Sequence, residues 1–107
     1  MRLRKRTKAD QKSVELARMA DAFAHPLRVD IFKHILRCNR ERLLVRNKDL
    51  VDAFGYSQAT ISQHINTLCS GGLLTTRSVA TSTCYYANIG AVSKLIDEIS
   101  RFGERGE

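Results

Sequence analysis

The chain has 107 residues, 43% of them apolar, and a formal charge of +7. That length suits a single domain with one small core, which buries its surface less completely than a larger fold and would gain from a core shared in a dimer. The charge implies an acidic partner, nucleic acid first and an anionic membrane second. No apolar run approaches the roughly 20 residues of a membrane span. Residues 13–24, broken by Glu15, Arg18 and Asp21, make no signal-peptide core. Cys38, Cys69 and Cys84 are an odd number without CxxC spacing, which argues against a disulfide framework and for reduced thiols in a cytoplasm.

Residues 1–12 hold Arg2, Arg4, Lys5, Arg6, Lys8 and Lys12 against Asp10, a net +5 that leaves only +2 for the rest. This stretch is expected to be a flexible basic arm, either a solvated tail or a phosphate contact. A first helix, capped by Ser13, carries Leu16, Met19, Ala20 and Phe23 at helical spacing. His25-Pro26 interrupts it, and Pro26 suits the first turn of a second helix with Leu27, Ile31, Ile35 and Cys38 on one face. Residues 39–46 form a charged connector in which Leu43, Leu44 and Val45 are a candidate short strand.

Asn47 is the expected cap of a third helix, residues 48–54, stopped by Gly55. Ser57 caps a fourth helix that Gly71-Gly72 ends near residue 70. Residues 73–79 and 83–89 alternate and are rich in Thr, Val and Tyr, as a hairpin requires. Gly90 then precedes a fifth helix striped with Val92, Leu95, Ile96, Ile99 and Phe102. The expected architecture is therefore mainly α with a small antiparallel hairpin, an α+β helix-turn-helix with a wing. It spans residues 13–102, followed by a short tail, 103–107.

The fourth helix is the informative element. With Ile61 inward, Ile65 and Leu68 join it, and the opposite face shows Ala59, Ser62, Gln63 and Asn66, with Gln58 and Thr60 near the start. Amides pair bidentately with adenine, hydroxyls contact bases or phosphates, and Ala59 can touch a thymine methyl. No residue from 57 to 70 is formally charged, so affinity must come from neighbours: Arg40, Arg42, Arg46, Lys48 and Arg77, with Ser57 as a further phosphate contact. Each of these arginines also fits an ordinary solvated surface charge. His64, on the edge of the inward stripe, is expected to pack or bond locally. Of Tyr85 and Tyr86, one is expected on the core and one outside.

At this point AHPLRVDIFKHIL, KDLVDAFGYSQATISQHINTL, GGLL and the closing CYYAN, together about residues 14–100, resemble the ArsR/SmtB family of bacterial winged-helix repressors. The resemblance implies a homodimer built by the first and last helices, here Leu16, Met19, Phe23, Val92, Leu95, Ile96, Ile99 and Phe102. It also implies a fourth helix in the major groove of a palindromic operator, with Gln58, Ala59, Ser62 and Gln63 facing bases. Repression would come from excluding polymerase, with release by an inducer.

The departures matter too. Where the family's metal sensors carry cysteines beside the third helix, this chain has Arg46 and Lys48, and its last helix has Asp97, Glu98 and Glu104 but no histidine. Neither metal site is expected, and no cofactor is. The wing tip, Ala80-Thr81-Ser82, lacks the usual glycine and extra base. His34 and Cys38, four apart, have a spacing that can hold two ligands of one metal, but no second pair is evident, and the expected reading is a small buried cysteine beside a partly buried histidine. Cys38, flanked by Arg37 and Arg40, is the candidate thiol sensor. The competing reading is a winged-helix module that binds protein or RNA without operator specificity. With no phosphate loop, metal quartet or catalytic triad, an enzyme is not expected.

Overall fold

The computed structural model describes residues 8–104, which form five helices and one two-stranded antiparallel sheet. In chain order these are α1 (Lys8–Ala22), α2 (Pro26–Arg40), α3 (Asn47–Phe54), α4 (Gln58–Ser70), β1 (Leu74–Val79), β2 (Ser82–Ala87) and α5 (Ile89–Ser100). The α+β order expected from the sequence is the one observed. Residues 1–7 of the basic arm and 105–107 of the tail lie outside the described residues.

Helix α1 begins at Lys8, so residues 8–12 are helical and Ser13 stands exposed inside the helix rather than capping it. Lys, Ala and Gln propagate a helix without apolar spacing, which is why a pattern of buried positions starts too late. Helix α2 opens on Pro26, and the His25 Nδ1 caps it by accepting the Leu27 N–H at 3.1 Å. The Arg28 guanidinium turns back and donates to the carbonyls of Ala22 and Asp21, at 2.7 and 3.2 Å. It thereby satisfies the Ala22 carbonyl, which the end of α1 leaves without a helical partner, and shares the Asp21 carbonyl with the Ala24 N–H.

The core gathers Ile31 and Ile35 of α2, Leu50 of α3, Ile61 and Leu68 of α4, and Val45 and Leu73 from the connections, all fully buried. Each stabilises by roughly 1.5–3 kcal/mol relative to exposure. Phe23 meets Phe32 edge to face at 5.2 Å. Gly71 lets α1 and α4 converge, because a Cβ there would lie 2.6 Å from the Ala22 Cβ.

The connector forms no strand at 43–45. Helix α2 ends with Arg42 in the left-handed region at φ 60°, while the Arg42 and Leu43 N–H groups return to the Asn39 and Cys38 carbonyls. Only one ladder-like bond survives, from Tyr85 N–H to the Val45 carbonyl at 2.9 Å. Asn39 takes the remaining places on the outer edge of β2: its amide donates to the Tyr85 carbonyl at 3.2 Å and accepts the Ala87 N–H at 2.8 Å. A side-chain amide replaces the strand.

Helix α3 is not capped by the Asn47 side chain. Asp49, three residues on from Arg46, accepts the Arg46 N–H at 2.8 Å. Gly55, at φ 75°, closes the helix in a conformation few other residues adopt. The hairpin pairs Leu74 with Ala87 through Val79 with Ser82, shorter than expected because Leu73 is drawn into the core and Ile89 already begins α5. Asn88, not Gly90, starts that helix: its Oδ1 accepts the Ala91 N–H at 3.2 Å while its Nδ2 holds the Gly72 carbonyl at 3.0 Å.

Candidate nucleic-acid interface

Helices α3 and α4 meet across a turn of three residues, Gly55 to Ser57, and the second helix lies with one face outside the core. Ser57 does cap it, its Oγ accepting the Thr60 N–H at 3.2 Å. Ile61, Ile65 and Leu68 are buried, and Gln58, Ala59, Gln63 and Asn66 are exposed on the other side. These four form a neutral strip of three amides and a methyl, free of bonds to the fold among the described side chains.

Two of the expected base readers are otherwise engaged. Ser62 is half-buried, and its Oγ accepts from the Asn47 amide at 3.0 Å, tying the start of α3 to the middle of α4. The Thr60 hydroxyl accepts from Ser57 at 3.0 Å as part of the cap. Sequence spacing locates a face but not these cross-links, whose partners lie up to 15 residues away. Tyr56, 48% exposed immediately before the cap, lies outside the apolar periodicity of α4 and adds an aromatic ring at the same end of the helix.

Among the candidate phosphate contacts, Arg40, Arg42, Lys48 and Arg77 are exposed. Arg46 is half-buried, with its Nε 3.7 Å from the Asp49 carboxylate, so it braces α3 as well. Arg77 lies over the Tyr86 ring, 5.0 Å from its centroid, a cation–π contact that holds the cation on the hairpin face. Tyr85 is the core tyrosine of the pair, and burial pushes its phenol up from the ordinary range.

His64 bonds locally, as expected. Its Nδ1 lies 3.4 Å from the Arg28 Nη1, and its ring is centred 4.9 Å from that of His25. Burial, followed by the charges of His25 and Arg28, lowers its pKa below the ordinary histidine value.

The thiols are scattered through the fold. Cys38 is half-buried against the core, its Sγ 3.6 Å from the His34 Nε2, while His34 meets Phe54 edge-on at 5.5 Å. Cys84 is buried, and burial raises the Cys69 thiol, which disfavours its reactive thiolate. Among the described residues, no three His, Cys, Asp or Glu side chains come together as a metal cluster. None of the described helices is long and apolar enough to cross a membrane.

A second surface runs along α1 and α5, joined by a Lys12–Glu98 ion pair at 3.4 Å. Leu16, Met19 and Leu95 line a groove of about 390 Å³ between them. Beside it Ile96, Ile99 and Phe102 are 59, 50 and 41% exposed. Phe23 and Val92 pack against the core of their own chain, and Met19 does so while also lining the groove, so the open part of the expected interface is Leu16, Met19, Leu95, Ile96, Ile99 and Phe102.

No protein-family model matches the chain, and no curated protein does. Solved structures do. The ArsR-like transcriptional regulator from Rhodococcus sp. RHA1 superposes with a TM-score of 0.78 at 22% identity, over 89% of this chain and 85% of that one. The homodimeric winged helix-turn-helix DNA-binding domain Mb0332 from Mycobacterium bovis gives 0.69 at 22% identity, over 97% and 91%. NolR from Sinorhizobium fredii gives 0.64 at 23% identity, over 94% and 96%.

The chain has the winged helix-turn-helix fold. In its terms α3 and α4 are the helix-turn-helix, α4 is the helix in the recognition position, and the β1–β2 hairpin is the wing. The wing turns at Ala80-Thr81 with Ala80 at φ 56°, the left-handed conformation that the absent glycine would adopt without strain.

Proposed function

We propose that this winged helix is a homodimeric, sequence-specific DNA-binding repressor of the ArsR/SmtB type. The observation that carries the reading is the strip Gln58, Ala59, Gln63 and Asn66: exposed, uncharged, hydrogen-bonding, and mounted on a helix whose other side is locked into the core. Such side chains read base edges in the major groove. Lys48, Arg40, Arg42 and Arg77 supply the phosphate attraction that the strip lacks, and Arg46 adds to it while bracing α3. The left-handed backbone at Arg42 supports this assignment, since an arginine stands where glycine would cost about 1 kcal/mol less.

The apolar edge formed by Leu16, Met19, Leu95, Ile96, Ile99 and Phe102 is assigned to a second copy. The dimer would present two strips to successive major grooves of a palindromic site. Repression follows from occupying a promoter. The homodimeric state of the similar Mb0332 domain agrees with this arrangement.

Selection from a pool of random-sequence duplexes tests the proposal. It expects enrichment of an inverted repeat whose half-sites lie about one helical turn apart. Failure to enrich any sequence contradicts it. A second reading draws on Leu43 and Leu44, adjacent and 55 and 47% exposed, which would serve as apolar anchors for a protein partner at the connector. Retention of a protein partner lost in Leu43→Ser and Leu44→Ser, with no duplex enriched, would favour that reading.

A further inference from the structure

Away from the exposed strip and the apolar edge, the end of α1, the start of α2 and the middle of α4 meet at one polar junction. Arg28 is its centre. Its Nε and Nη2 donate to the Ala22 and Asp21 carbonyls at the end of α1, and its Nη1 reaches the His64 Nδ1 on α4. A guanidinium has only donors and keeps its charge. The His64 Nδ1 must therefore be the acceptor, which requires the neutral ring with its proton on Nε2.

We propose that Arg28 and His64 are a positioning pair that fixes the recognition helix against α1 only while the His64 ring is neutral, so that duplex binding depends on the protonation of His64. The inference rests on the DNA-binding reading above. His64 directly follows Gln63 and stands two residues before Asn66, so a roll of α4 at this point moves the exposed strip as a unit. A proton on Nδ1 would set donor against donor and place an imidazolium beside a guanidinium.

The charged and titratable groups facing the ring are Arg28 and His25 from the start of α2, while the end of α1 offers only the Asp21 backbone carbonyl to the Arg28 guanidinium. Helix α4 itself carries no formal charge. Burial and these cations hold the His64 pKa below its ordinary value. The fold thus favours the neutral ring, and the unfolded chain takes up this proton at higher pH than the folded one. The contribution is complete above the ordinary histidine range and is lost as pH falls through the lowered folded value.

The experiment measures affinity for the duplex selected from the random pool, from about pH 8 to about pH 5, with the wild type and His64→Gln. Glutamine keeps an acceptor for Arg28 and does not titrate. The two proteins are expected to bind alike at the upper end. Below the ordinary histidine range the wild type should lose ground relative to the variant, by at most about tenfold per pH unit for one proton.

His64→Ala, checked for an intact helical spectrum, should bind more weakly at the upper end, where His64→Gln does not. Nitrogen NMR of the His64 ring should show Nδ1 without a proton at neutral pH. Parallel pH profiles for wild type and His64→Gln, or a proton on Nδ1, overturn the positioning pair alone. A chain that selects no duplex at any pH overturns the DNA-binding reading with it.

Discussion

Gln63 and Asn66 owe their readiness to neighbours that do other work. Ile61, Ile65 and Leu68 take the inward positions, Ser62 is drawn to Asn47, and Thr60 is drawn into the Ser57 cap, which leaves the two amides without a bond to the fold. The cations assigned to phosphate contact divide into two kinds. Lys48 is exposed, and Lys48→Ala should weaken selected and unrelated duplexes alike, lowering the salt dependence of binding by about one unit of slope. Arg42 carries strain with its charge. Arg42→Gly is expected to raise stability by about 1 kcal/mol in a denaturant titration while lowering DNA affinity. A variant that loses stability would show that the backbone at Arg42 is not strained, and one that binds DNA unchanged would show that its charge makes no phosphate contact.

The elements differ in how plainly the sequence announces them. Helix α4 was legible end to end because its signals are local: a serine cap, an apolar stripe at positions 61, 65 and 68, and two glycines at its close. The hairpin was legible for the same reason. What pattern could not supply were partners far along the chain. Asn39 bonds β2 from 46 and 48 residues away, so the connector looked like a strand when a side chain fills that place. Asn47 turned from a cap into a link to Ser62, and Asn88 became a cap that also holds Gly72. Lys8 opened α1 ahead of its apolar stripe. Asn39→Ala should expose this dependence: it strands the Tyr85 carbonyl and the Ala87 N–H, at a cost of about 1–3 kcal/mol. Hydrogen exchange should show the Ala87 amide losing protection first. Unchanged protection there would mean that the amide does not hold the edge.

For the whole molecule, the two surfaces need each other. A strip on one α4 covers a single groove face, and the apolar edge on α5 supplies a means of doubling it. Ile99→Asp would bring a charge into that edge and should convert a dimer to monomer in sedimentation, with a loss of affinity for the paired site greater than for one half-site. Sedimentation unchanged by Ile99→Asp would place the subunit contact elsewhere. The most direct test of the account compares Gln63→Ala with wild type on the selected duplex and on a scrambled one of equal length. The account predicts a loss of about 1–3 kcal/mol confined to the selected duplex, with relaxed base preference. Equal losses on both duplexes, or none on either, would contradict it.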